Sequence, residues 1–225
     1  MDSLFLDNNI IIGFCFKQDP QHIFAEKLFN HHCSMNWSNN VVYEFNKVFE
    51  RKRNVFDGWV FDLISELNNV DNNWNKNDII NISINLKIDG FNRKSLTKLI
   101  KDFWNESELG KCETPSKIIS SLNRYKRSFT KKLLIDKKHC FEKMSAPHIR
   151  QQKYPLIEQQ LNIDGRDDLN HLGDDMNICL DAHDLGKTIP KLKFITDDDK
   201  ILKDKITIQS ITKINKVLGI NNYNF

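Results

Sequence analysis

At 225 residues, with 40% hydrophobic and 28% charged side chains, the chain has the length for one domain, or one domain carrying a large insertion, and an ordinary globular mixture. No apolar run approaches the roughly 18 residues of a membrane-spanning helix, and the start, MDSLFLDNN, has no basic segment ahead of an apolar one, so neither a membrane span nor a cleaved signal peptide is expected. Five cysteines, at 15, 33, 112, 140 and 179, are scattered without a CxxC pair. That spacing argues against a disulfide framework and a cysteine zinc site, and predicts a reducing, cytoplasmic setting.

The net charge of +3 is unevenly spread. Residues 1–90 carry 8 basic and 12 acidic side chains, a net of −4; residues 91–153 carry 16 and 6, a net of +10; residues 154–225 carry 9 and 12, a net of −3. A basic middle between two acidic thirds is an electrostatic footprint suited to nucleic acid, although a solvated helical surface in a Lys-rich protein gives the same count.

In chain order, SLFL (3–6) reads as a buried strand ending at Asp7, and IIIGFCF (10–16) as its continuation into a loop or helix. After Asp19-Pro20, the segment QHIFAEKLFNHH spaces Ile23, Phe24, Lys27, Leu28 and Phe29 for a helix. Met35–Trp37 reads as a second strand. Ser38 then caps a helix with Val41, Val42, Phe45, Val48 and Phe49 on one face. This β-α-β-α opening predicts an α/β domain with a parallel sheet flanked by helices. The middle, about 55–160, has few strand signals and is expected to be a mainly helical, basic insertion, with DIINISINLKID either strand or irregular helix and SKIISSLNRYKRSFTKKLLIDKKHCFEKM one long helix or two. Leu172–Leu185 reads as a helix stopped by Gly186, KLKFIT (191–196) as a strand, ITIQSI (206–211) as a further strand, and KINKVLGI as a last short helix. The expected division is therefore 1–54 with 161–225 as one α/β domain, and 55–160 as the insertion.

Acidic residues fall where such folds bind ligands, at the carboxyl ends of strands. Asp7 ends the first strand, and Asp197, Asp198 and Asp199 end the KLKFIT strand. Glu44 lies six residues into the helix opened by Ser38, and Asp174 and Asp175 open the later helix. Oxygen ligands without Cys or His suit Mg²⁺ or Mn²⁺ rather than zinc, and such ions serve phosphodiester cleavage. Each position also has a plain structural reading, as a helix cap or an exposed turn.

The sequence resembles the PIN domain nucleases, on FLDNN with Asp7, WSNNVVYEF with Glu44, GDDMNICLDA with Asp175 followed by Ile178 and Ala182, and FITDDDKIL with Thr196 followed by Asp198. The resemblance covers 1–54 and about 168–225. It implies a PIN-like parallel sheet and a hydrolase: a metal-dependent, single-strand-specific endoribonuclease. Asp7, Glu44, Asp175 and Asp198 would be the catalytic and metal-binding set for Mg²⁺ or Mn²⁺. Thr196 would hydrogen-bond beside them, Asp174 competes with Asp175, and Asp197 or Asp199 with Asp198. The long middle departs from the short connection of toxin-type members.

The alternatives are a non-catalytic RNA-binding or partner-docking protein on the same scaffold, and the toxin of a toxin–antitoxin pair, with an antitoxin or a second copy of the chain as partner. A haloacid-dehalogenase-type enzyme needs an Asp two residues after Asp7, where Asn9 stands. For RNA, the densest positive supply is NRYKRSFTKK, with Arg124, Lys126, Arg127, Lys131 and Lys132; Arg124, Arg127 and Lys131 share a helical face, and Tyr125 could stack on a base or belong to the core.

Overall fold

The computed structural model describes residues 2–69, 72–86, 93–163 and 173–224, with the side chains of 162, 163, 173 and 174 outside that description. Four strands form one parallel sheet in the order β2-β1-β3-β4: β1 Ser3–Leu6, β2 Ser34–Asn36, β3 Lys193–Thr196 and β4 Lys216–Gly219. In register, Phe5 lies opposite Asn36 on one side and Phe194 on the other, and Thr196 opposite Gly219. β1 and β3 read as near-continuous apolar runs because both faces of a parallel sheet are covered by helices.

Helix α1 (Asn8–Cys15) follows β1 directly and α2 (His22–Asn30) leads to β2. Apolar spacings of three and four bury Ala25, Leu28 and Phe29 of α2, while Ile23 stays 59% exposed. Next comes α3 (Asn39–Asn68), whose start is capped by the Ser38 hydroxyl accepting from the Val41 N–H at 3.3 Å. Then follow α4 (Lys76–Asn85), α5 (Arg93–Glu106), α6 (Pro115–Lys143), α7 (Pro155–Ile163) and α8 (Gly173–Gly186). After β3, α9 (Asp199–Lys203) and α10 (Lys205–Ile211) lead into β4. Leu172, the expected first residue of the α8 helix, lies outside the described residues.

Contacts divide the chain into two compact units. One is Met1–Lys17, Gln21–Lys47 and Lys137–Phe225; the other is Gln18–Pro20 and Val48–Asp136. The division falls within α3 and α6, each an unbroken helix, whereas the sequence places it at 54/55 and 160/161. Residues 144–148 run along β2 in the first unit: Ser145 N–H donates to Met35 O and His148 N–H to Trp37 O, both at 2.9 Å. The second unit is helical and has its own core, in which Phe56, Trp59, Leu63, Leu99, Phe103, Ile118 and Leu122 are buried. Of DIINISINLKID, residues 78–85 are helical in α4, whose start is fixed by a capping box between Asn75 and Asp78, and residues 87–89 lie outside the described residues. The SKIISS segment forms one helix, α6.

Two assignments at the end of the chain are corrected. ITIQSI is the helix α10, not a strand, and KINKVLGI supplies the strand β4, not a helix. β-branched residues favour strands only where packing rewards them. In α10, Ile208 is buried and Ile206 is 75% exposed, a one-sided helical pattern closed by Thr212 N–H donating to Ile208 O at 3.0 Å. Chain length also decides: a parallel crossover needs about a dozen residues or more, and a strand starting at 206 would leave fewer after Thr196.

Candidate functional site

β1 and β3 are adjacent and parallel, so their carboxyl ends place Asp7 beside Thr196. Asp7 is 3% exposed and its N–H still donates to Ile195 O at 3.0 Å, which extends the ladder one residue past β1. Its side chain caps α1: Oδ1 accepts from the Asn8 N–H at 2.6 Å. Its Oδ2 accepts from the Thr196 hydroxyl, also at 2.6 Å. Thr196 Oγ1 in turn accepts the Asp198 N–H at 3.0 Å, and Asn9 Oδ1 accepts the Asp197 N–H at 3.3 Å. The two strand ends are thus tied by side chains 187 to 189 positions apart.

Burial pushes the Asp7 carboxyl from its ordinary 3.8 up to about 7, against the Thr196 and Asn8 hydrogen bonds and with the charges of Glu44 and Asp175 adding to the rise. Glu44, half-buried on α3, and Asp175, half-buried on α8, are therefore within electrostatic reach of Asp7. The buried Cys179 thiol, one turn after Asp175, is driven upward by burial and then by the charges of Asp7, Asp175, Asp198 and Asp181. Asp198 caps α9, its Oδ1 accepting from Lys200 N–H at 2.8 Å and Ile201 N–H at 3.1 Å, which leaves Oδ2 outside those bonds. Asp197 is half-buried, Asp199 is exposed in the first turn of α9, and the Asp174 side chain lies outside the described residues.

Among the described residues, no group of three or more His, Cys, Asp or Glu side chains is arranged to hold a metal ion. In their chemistry the donors suit a hard divalent cation, being all carboxylate oxygen. A carboxyl that keeps its proton to about pH 7 is not yet a ligand, and its ionisation is a condition for closing such a site.

Two acidic residues of α8 escape sequence reasoning. Asp181, 1% exposed, accepts from Asn40 Nδ2 at 2.8 Å through Oδ2 and faces Arg150 Nε at 3.4 Å through Oδ1. Asp184, 5% exposed, accepts from His148 Nε2 and the Gln151 N–H, both at 2.9 Å, and from the Tyr154 hydroxyl. Burial works to raise the Asp184 carboxyl, but the Tyr154, Gln151 and His148 hydrogen bonds hold it below its ordinary value. The available signal is two acids, three apart, beside the apolar run Ile178, Cys179, Leu180 and Ala182, since buried carboxylates need partners.

In the basic run of α6, Arg124, Arg127 and Lys131 are exposed. Lys126 pairs with Asp57 at 3.0 Å and Lys132 with Asp136 at 2.9 Å. Tyr125 is 6% exposed in the helical core, so it is not a stacking surface for a base; burial, then Glu106 and Asp102, push its hydroxyl upward. Among the described residues no helix is long and apolar enough to cross a membrane. Comparison with protein-family models, with characterised proteins and with solved structures finds no match.

Thr196 is the joint of this arrangement. Val in its place is expected to strip Asp7 Oδ2 of its donor and the Asp198 N–H of its acceptor. The cost should be about 1–3 kcal/mol for buried groups left unpaired, and the Asp7 carboxyl should titrate still higher, because the lost bond held it down. Urea unfolding and an NMR titration of the Asp7 carboxyl check both.

Proposed function

We propose that this chain is a PIN-type nuclease, a hydrolase that cuts phosphodiester bonds of single-stranded RNA with Mg²⁺ or Mn²⁺ held by Asp7, Glu44, Asp175 and Asp198. The observation that carries the reading is Asp7: a buried carboxyl at a strand end, raised to about 7 and within reach of the charges of Glu44 and Asp175. Like charges gathered at the carboxyl ends of a parallel sheet cost stability, and such perturbed groups cluster at functional sites. The strand order β2-β1-β3-β4, with acids after β1 and β3, supports the PIN likeness drawn from the motifs.

The residues divide the work. Thr196 and the Asn8 N–H fix the Asp7 carboxylate, and Asn9 holds the loop carrying Asp197 and Asp198 against α1. Asp198, oriented by its cap bonds, presents Oδ2. A bound divalent cation would activate water and neutralise the leaving oxygen. A second reading, a non-catalytic RNA binder, is favoured by the lack, among the described residues, of a ready three-carboxylate group.

The test is incubation of end-labelled single-stranded RNA with the full chain in Mn²⁺ and in EDTA. Cleavage in Mn²⁺, absent in EDTA and in the Asp7→Asn variant, is the expected result. Binding without cleavage in either condition selects the second reading.

A further inference from the structure

We propose that Arg150 is a substrate ligand whose guanidinium takes a non-bridging phosphate oxygen of single-stranded RNA beside the carboxylate cluster, an assignment that rests on the nuclease reading above. Arg150 lies between α6 and α7, with its side chain 24% exposed. Two residues one turn apart on α8 hold it: Asn177 Oδ1 accepts from Nη2 at 2.9 Å, and Asp181 Oδ1 lies 3.4 Å from Nε. The same helix carries Asp175. Asp181 Oδ2 is bonded by Asn40, one turn before Glu44 on α3. A hydrogen bond to Asn177 and an ion pair to Asp181, itself bonded by Asn40, therefore tie Arg150 to α8 and α3, and Asp181 shares with Asp7, Asp175 and Asp198 the electrostatic surroundings of Cys179.

The pairing is incomplete. Asp181 is 1% exposed and its Oδ1 receives no hydrogen bond, only the ion pair at 3.4 Å. A guanidinium has five N–H donors in a planar fork, and these contacts leave Nη1 and one Nη2 hydrogen for a ligand. Carboxylates repel a phosphodiester, and a cation fastened to the helix that carries Asp175 is a group able to offset that repulsion. An arginine fork suits phosphate bidentately, where a lysine is a point charge. The competing role is structural, in which Arg150 only neutralises Asp181 and fastens the 144–154 segment to α8.

Fluorescence titration of the full chain with a labelled single-stranded RNA separates the two. It is run at several salt concentrations in Ca²⁺, a cation of looser coordination geometry than Mg²⁺, with strand integrity checked on a gel. Arg150→Ala should weaken binding about tenfold and flatten the salt slope by about 0.7, the value of one phosphate contact on a single strand. Arg150→Lys should keep the slope and lose affinity. If Arg150→Ala does not fold, Arg150→Gln, whose amide keeps a donor for Asn177, takes its place with the same expectation. A wild-type chain that binds RNA while the folded Ala or Gln variant shows unchanged affinity and slope, whatever its melting temperature, overturns the assignment alone. A wild type that binds no single-stranded RNA overturns it together with the nuclease reading.

Discussion

Asn in place of Asp7 is expected to make the cation-free protein more stable at pH 8 than the wild type, with the advantage vanishing near pH 4. The unfolded carboxyl titrates at the ordinary 3.8 and the folded one at about 7, so between these values the folded state holds the extra proton. Stability then falls as pH rises through that window, by roughly 4 kcal/mol at 1.36 kcal/mol per pH unit. Asn carries no charge to bury and caps a helix nearly as well as Asp, so the variant should lack this slope. Any fixed cost of disturbing the Thr196 bond shifts its curve by a constant, and the pH dependence isolates the carboxyl. Mn²⁺ should narrow the gap. A cation that binds only the ionised site stabilises the wild type by about 2.7 kcal/mol at a hundred times its dissociation constant, several degrees in a domain of this size. The variant should gain less. Thermal melts from pH 4 to 8, with and without Mn²⁺, check the pattern; parallel curves for the two proteins would refute it.

The second large effect is in the sheet beneath the site. Phe194 on β3 is fully buried and meets Phe5 on β1 edge-on, with ring centroids 5.5 Å apart at 79°. These two strands carry Thr196 and Asp7. Phe194→Ala removes the ring and leaves a cavity, a loss of about 3–5 kcal/mol, or roughly 10 °C at 2–4 °C per kcal/mol. Phe194→Leu, closer in volume, should cost under about 1.5 kcal/mol. Denaturant unfolding gives both values, and equal costs for Ala and Leu would show that the ring packing does not hold the two strands together.

The opening of the fold was legible because its signals are local. SLFL is an uninterrupted apolar run cut off by Asp7, and Ser38 caps the helix directly behind it. The extent of α3 was less legible: the expected boundary at 54/55 falls inside one helix, and at Gly58 a Cβ would meet nothing within 4 Å, so that glycine marks no close approach. ITIQSI and KINKVLGI exchanged roles because β-branched content speaks for strand while the crossover length speaks against it. Of the candidate site, Asp7, Glu44, the pair Asp174 and Asp175, and Asp197 to Asp199 could be named from their places at strand ends and in helices, and the choice of Asp175 and Asp198 among them comes from the PIN resemblance. Asp181, Asp184 and Arg150 could not. Their meaning lies in contacts with Asn40, Tyr154 and each other across 30 to 141 positions, which no local pattern encodes.

A crystal of the full chain soaked in Mn²⁺ at pH 8, with the anomalous signal of the ion recorded, tests the central claim most directly. The account predicts a peak within about 2.0–2.2 Å of carboxylate oxygens from Asp7, Asp175 or Asp198, with Glu44 turned toward the same ion. A structure in which these carboxylates bind no Mn²⁺ at that pH, or in which Mn²⁺ sits elsewhere, would contradict it.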